Sequence, residues 1–357
     1  MSTPFRFKNA DNTTVDFEDY YVRADYFRSG NLWTWGNNSN GGLGDNTIVS
    51  KSSPVQTVTF GTNWKQVAGG GNSTAAIKTD GTLWMWGENT NGQLGDNSST
   101  KRSSPVQTVA FGINWKQVSC GYPVTAAIKT DGTLWCWGAN GLGGLGDNTS
   151  TNRSSPVQTV AFGTNWKQVS CGGHSTAAIK TDGTLWCWGF NNNGQLGDNS
   201  STNRASPVQT VAGGTNWNQV VSGLYGTIAI KTDGTLWCWG DNTNGQLGDN
   251  SSTKRSSPVQ TVAFGTNWKQ VFFYNHCAAI KTDGSIWTWG RNSYGQLGDN
   301  TVTNRSSPVQ TILYGQNWKQ VSCGYHHTAA IKTDGTLWTW GNNQSYGRLG
   351  DNTTVNR

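Results

Sequence analysis

Charge is scarce in this chain. Of its 357 residues only 13 % are Asp, Glu, Lys or Arg, and the 26 basic and 20 acidic side chains never gather into a run. A nucleic-acid groove needs concentrated Lys and Arg, so the net charge of +6, shared out at about one positive charge per repeated unit, argues against nucleic acid as a partner. Long apolar runs are missing too. No stretch approaches the roughly 20 residues that span a bilayer, and Met1 to Tyr21 lacks the apolar centre of a signal peptide. The expectation is a soluble chain made in a cytoplasm, without membrane insertion. No segment carries the 3.6-residue apolar period of an amphipathic helix.

Reactive groups are few. There are four His and seven Cys, with no Cys-x-x-Cys. Cys136, Cys187 and Cys238 fill a place that other copies give to Thr or Met85, and Cys120, Cys171 and Cys323 align with Gly69 and Ser222. Such thiols are expected to be reduced space-fillers. Neither Gly-x-Ser-x-Gly nor a phosphate loop occurs. His276, His326 and His327 do not read as a metal site, because adjacent residues of a strand point to opposite faces. No catalytic residue, metal ion or cofactor is expected.

What the chain has is repetition. Trp-x-Trp-Gly appears at Trp33/Trp35 and returns at Trp84, Trp135, Trp186, Trp237, Trp287 and Trp338, every 51 residues with one step of 50. Such a period belongs to blades of a propeller. Low hydrophobic content, 34 %, is offset by 20 Trp; each buried indole contributes on the order of 5 kcal/mol of gross transfer energy. One unit reads as four short strands: Pro156 to Val160, starting with Pro and so suited to an edge; Trp166 to Ser170; Thr176 to Thr181; and Leu185 to Trp188. Asp182-Gly183 makes a hairpin turn before the last strand, and residues 189–205 form a polar loop. Both indoles of Trp-x-Trp share one sheet face, and Leu185 and Cys187 occupy the other, as expected of a sheet packed on both sides. Asp198 and its counterparts in Leu-Gly-Asp-Asn recur in all seven copies and read as turn caps. No closing Glu makes them a calcium loop.

The expected fold is therefore all-β: one seven-bladed β-propeller over residues 1–357, four antiparallel strands per blade. Residues 9–58 are read as a divergent first blade, 59–316 as repeats, and 317–357 as a last blade completed by a closing strand at 1–8. The alternative for residues 1–30 is an anchoring arm.

These units resemble the regulator-of-chromosome-condensation family of seven-bladed propellers. Gly324-Tyr-His-His-Thr-Ala-Ala-Ile331 with Asp334-Gly335, and Trp188-Gly-Phe-Asn-Asn-Asn-Gly-Gln-Leu-Gly197, carry the resemblance over nearly the whole chain. The family His stands only at His276 and His327. The resemblance implies a shared fold with varied function. The near-identity of the copies is also similar in character to bacteriophage-encoded repeat propellers.

Comparison of the copies with one another locates two variable regions. One is the loop between the Trp-Lys-Gln and Thr-Ala-Ala strands, with Tyr122-Pro123, His174, Leu224-Tyr225, Tyr274 and Tyr325-His326. The other begins after Trp-Gly, with Phe190, Asp241, Arg291, Tyr294 and Tyr346. Alternating turns put both at one end of the disc, while the uniform Asp-Gly turns lie at the other. Tyr and Arg are typical of interface hot spots. The expected function is a non-enzymatic recognition or structural module that binds a protein or a cell-surface partner through this face, with a phage virion or host-attachment component as its setting. The alternatives are a glycan-binding lectin with pockets between blades, and an enzyme inhibitor or an exchange-factor-like regulator of a small GTPase.

Overall fold

The computed structural model describes residues 30–58, 63–109, 112–161, 163–262, 265–312 and 315–357. All regular elements among them are strands. Five sheets have four strands in chain order, over residues 64–107, 115–158, 166–209, 217–260 and 268–310 (blades 1 to 5). A sixth sheet, blade 6, has three strands over 318–341.

Among the described residues the propeller thus has six blades, not the expected seven. Among the described residues Trp33–Gly36 and Lys51–Gln56 form a two-stranded ribbon. The physical reason for the difference is that Trp-x-Trp-Gly marks a single strand, so its seven copies count strands and not whole sheets; among the described residues the first copy pairs with one strand, Lys51–Gln56. The expected closing strand at 1–8 and the start of the expected first blade lie outside the described residues. The ribbon lies between blades 6 and 1. Trp35 Nε1 donates to Arg348 O (2.9 Å) and Asn352 N to Ser52 O (2.9 Å) on one side. On the other, Trp86 Nε1 donates to Gly42 O (2.9 Å).

Blade 3 shows how the repeat folds. Its strands are Trp166–Cys171, Ser175–Lys180, Leu185–Gly189 and Arg204–Gln209, each antiparallel to the next. The Pro-bearing strand starts at Arg204, earlier than Pro alone suggests, because Arg204 pairs with Gly189 across a bulge. The turn at Asp182-Gly183 is fixed by Asp182, whose Oδ1 accepts from the amide (2.9 Å) and hydroxyl (2.7 Å) of Thr184.

The core is a series of seams between blades. Leu185, Cys187 and Leu196 of blade 3 pack against Trp217, Val220 and Trp239 of blade 4. Trp166 and Trp188 of blade 3 pack against Leu134 and Cys136 of blade 2. The indoles thus face the preceding blade and the Leu/Cys side faces the next. Each seam is then pinned by polar bonds. Trp188 Nε1 (3.0 Å) and Thr176 Oγ1 (2.9 Å) both donate to Gly144 O in the blade 2 loop. Gly197 takes φ +67° and lies so close to Trp239 that an added Cβ would be 2.8 Å from its Nε1; hence the second Gly of Gly-Gln-Leu-Gly. All seven Cys are buried and unpaired with one another, and burial pushes the Cys171 thiol up to about 12, leaving it unreactive.

Candidate recognition face

The first strands of neighbouring blades are joined by a glutamine clasp. Gln168 Nε2 donates to Val220 O (3.3 Å), and Gln168 Oε1 accepts from Val220 N (3.1 Å). The same pair of bonds links Gln66 to Val118 and Gln117 to Val169. Above these strands the loops at the variable end continue the linkage. Tyr122 N donates to Gly172 O (3.1 Å), Gly173 N to Gly223 O (3.0 Å) and Leu224 N to Tyr274 O (3.4 Å). Gly173 leaves room for Leu224, whose Cδ1 would be 2.6 Å from an added Cβ. The loop backbones are locked to one another while their side chains differ.

The two variable regions meet. Phe190 N donates to His174 O (3.0 Å), Asp241 N to Tyr225 O (2.9 Å), and Asn342 N to His326 O (2.8 Å). Tyr122, Tyr225 and Tyr325 are exposed by 43 %, 44 % and 48 %, and Tyr346 by 37 %. Tyr122 stands edge-on to His174, with ring centroids 6.5 Å apart. A longer aromatic run crosses blades 5 and 6. Tyr274 lies 5.7 Å from Tyr325, Tyr325 4.3 Å from His326, and His326 4.8 Å from Tyr294. Arg348 covers the Tyr346 ring at 4.6 Å. Burial, and then the phenols of Tyr325, Tyr122 and Tyr225, raise Tyr274 to about 12. Burial, followed by the guanidinium groups of Arg291 and Arg348, holds His326 down at about 4.

Two candidates are placed differently. Pro123 is buried. Asp241 is buried as well, and its Oδ2 accepts from Gln246 Nε2 (2.7 Å) while Oδ1 faces Lys254 Nζ at 3.7 Å. Its variation is compensated within the loop. Where the residue after Trp-Gly is acidic, the residue 13 places on is Lys: Glu88 pairs with Lys101 at 2.9 Å. Where it is Ala139, Phe190 or Arg291, that place is Asn, and Asn152, Asn203 or Asn304 instead accepts the amide of the residue that follows (2.8 Å each).

His276 is fully buried between blades. Thr328 Oγ1 donates to Gln296 O (2.8 Å), so His276 Nε2–H must donate to Thr328 Oγ1 (2.7 Å), leaving Nδ1 bare. Burial, and then His327 and His326, lower its pKa to about 3.

The Leu-Gly-Asp carboxylates are structural. Asp147 Oδ1 accepts from Thr149 N (3.1 Å), Thr149 Oγ1 (2.7 Å) and Asn140 Nδ2 (2.8 Å), and Oδ2 pairs with Arg153 Nη2 (3.0 Å). Burial alone would raise its pKa, yet the bonds from Thr149, Asn140 and Arg153 hold it below the usual carboxylate value. Among the described residues no group of three or more His, Cys, Asp or Glu is arranged to hold a metal.

Sequence reasoning missed the glutamine clasp, because an invariant Gln in a strand reads as an ordinary exposed polar residue. It also missed Arg348, which stands where other copies have Gln195 or Gln246, in a loop one residue longer than theirs. The extra length is accompanied by Ser345 at φ +70°.

A six-bladed repeat propeller that presents dissimilar loops at one end defines the class. The chain belongs to the RCC1-like domain family: the pattern of that domain matches residues 26–273, and that of the regulator of chromosome condensation (RCC1) repeat matches 283–331 and 318–348. It is similar to the ultraviolet-B receptor UVR8 of Arabidopsis thaliana, 33 % identical over 242 residues, covering 67 % of this chain and 54 % of the receptor. It is also similar to the probable E3 ubiquitin-protein ligase HERC4 of Homo sapiens, 31 % identical over 56 % of this chain and 19 % of the ligase. The chain thus spans about half the length of UVR8 and a smaller part of HERC4. Among solved structures, Prp20p from Saccharomyces cerevisiae superposes with a TM-score of 0.82 at 20 % identity, over 91 % of this chain and 83 % of Prp20p. Human WBSCR16 superposes at 0.80 and 22 %, over 92 % of each chain. These two likenesses speak for the fold.

Proposed function

We propose that this propeller is a non-enzymatic recognition module that binds a protein partner through its variable end. The observation that carries the reading is the contrast between loop backbones bonded in series and side chains that differ from blade to blade. A rigid frame bearing exposed Tyr, His and Arg loses little entropy on binding, which favours affinity. The family supports the same reading: the structural study of Prp20p concerns its binding to Gsp1p and histones. The dissimilarity of the loops favours one asymmetric partner over the several equivalent pockets of a lectin. The phage-particle setting belongs to this proposal too, and mass spectrometry of purified particles checks it.

The test is substitution of Tyr122, Tyr225 and Tyr325 by Ala, all three exposed. Affinity isolation of a partner should fail with this variant and persist when Lys116 and Lys269 at the uniform end become Gln. Undiminished isolation by a folded triple-Tyr variant would overturn the reading.

A further inference from the structure

One sector of the variable face differs from the rest in its arginines, its aromatic rings and its exposed aliphatic side chains at once. Its loops are 291–304 of blade 5, 342–356 of blade 6 and 37–50 of the ribbon. Among the described residues Arg291 donates to Ser293 Oγ (3.3 Å), and Arg348 to Asn342 Oδ1 (3.1 Å) and Gln344 O (3.2 Å). The two loops meet at His326: Tyr294, from the loop that carries Arg291, lies 4.8 Å from its ring, and Asn342, which Arg348 bonds, donates its amide to His326 O (2.8 Å); among the described residues no carboxylate pairs with either arginine. The carboxylates that next follow them in the chain are already taken: Asp299 by Arg305 at 2.7 Å and Asp351 by Arg357 at 3.2 Å. Two half-buried guanidinium groups flanked by aromatic rings suit a carboxylate, which a planar fork of N–H donors can hold by two bonds.

Structural bonding has been given up to build it. In four loops, the ribbon's among them, the residue just before the first Gly of the Gly-(Gln/Gly)-Leu-Gly stretch is an Asn that ties adjacent loops together: Lys101 Nζ to Asn40 Oδ1 (2.7 Å), Asn152 Nδ2 to Asn91 Oδ1 (3.2 Å), Lys254 Nζ to Asn193 Oδ1 (2.6 Å) and Asn304 Nδ2 to Asn244 Oδ1 (3.0 Å). Blade 2 has Leu142 there. Tyr294 and Tyr346 stand at that place in blades 5 and 6, where no such tie occurs among the described residues. The same loops carry exposed aliphatic side chains, Val302 (68 %), Val355 (57 %) and Ile48 (67 %). Blades 1 to 4 have Ser99, Ser150, Ser201 and Ser252 at the position of Val302 and Ile48.

We infer that this sector binds an acidic segment of a protein partner, with a carboxylate held by Arg291 and Arg348 beside Tyr294 and Tyr346 and apolar side chains of the segment lying on Val302 and Ile48. The inference rests on the proposed recognition face and names the chemistry of its partner. A carboxylated glycan would answer to the arginines but gains nothing from the aliphatic surface, so the peptide is favoured.

The test uses the whole chain and three probes in fluorescence anisotropy: a labelled 12-residue peptide of alternating Glu and Leu, its Gln-Leu counterpart, and a galacturonate hexamer. The Glu-Leu peptide should bind at least tenfold tighter than the other two, and more weakly as salt rises. Arg291→Asn and Arg348→Gln install side chains that other copies already carry at those places, so the fold is kept; each should weaken binding tenfold or more. Val302→Ser should weaken it several-fold, and Lys116→Gln not at all. Equal binding of the two peptides, folded Arg variants that bind as well as the parent, or binding of the hexamer alone would overturn the inference. Partner isolation that survives both Arg substitutions but not the Tyr substitutions would leave the recognition face standing and remove the acidic-segment site.

Discussion

Replacement of Gln168 by Met keeps the side-chain volume close to the original and deletes both bonds of one glutamine clasp. Gln168 gives Nε2 to Val220 O at 3.3 Å and takes the Val220 amide at 3.1 Å. A neutral hydrogen bond contributes about 1 kcal/mol net, and a buried amide left without an acceptor costs about 1–3 kcal/mol. Val220 is fully buried, so the second figure applies, and the variant should lose roughly 2–4 kcal/mol. Urea unfolding followed by Trp fluorescence should show an earlier midpoint with an unchanged slope. Amide exchange gives a sharper local reading: the Val220 amide should lose protection, while that of Val169, clasped by Gln117, keeps it. An unchanged midpoint together with a still-protected Val220 amide would refute the clasp as a stabilising element.

Gly197→Ala should destabilise by more than about 2 kcal/mol, since it combines a strained positive φ with a Cβ 2.8 Å from Trp239 Nε1. Thermal unfolding checks this, with Gly141→Ala as the control, because a Cβ at Gly141 meets no neighbour within 4 Å. His276 predicts a pH dependence. Its pKa falls from 6.5 to about 3 on folding, so between those values the unfolded chain binds the extra proton. The His276 contribution to stability therefore declines as pH drops from 6.5 towards 3, by up to about 1.4 kcal/mol per pH unit, beside that of His326 and His327, which burial also lowers. His276→Ser, the residue blade 3 has as Ser175, should flatten that slope by one proton, whereas loss through the Asp147 class of carboxylates begins only below their ordinary 3.8. An unaltered slope in His276→Ser would contradict the assignment.

The strand plan was legible because its signals are local. Asp182-Gly183 calls for a hairpin, and Trp186 and Trp188 must share a face whatever lies beyond. Blade number is not local. Trp33-Thr-Trp-Gly36 satisfies the motif as fully as any copy, but a blade also needs inner strands beside it, and the motif is silent on those. The variable face was legible by comparing copies. What that comparison could not separate was variation serving recognition from variation compensated inside a loop, as in Asp241 with Lys254. That distinction needs the 3.7 Å ion pair and the Gln246 bond to be seen. Arg348 escaped because it occupies a position that is otherwise Gln or Gly and lies within a motif that reads as structural.

The central claim, that the partner sits on the variable end, is tested most directly by hydrogen–deuterium exchange of the chain alone and in its complex. Protection should appear in loops 121–125, 223–226, 274–276 and 324–327, and most strongly in 291–304 and 342–348. The Asp-Gly turns at 80–82, 131–133, 182–184 and 233–235 should exchange as before. Protection of those turns with the variable loops unaffected would contradict the account.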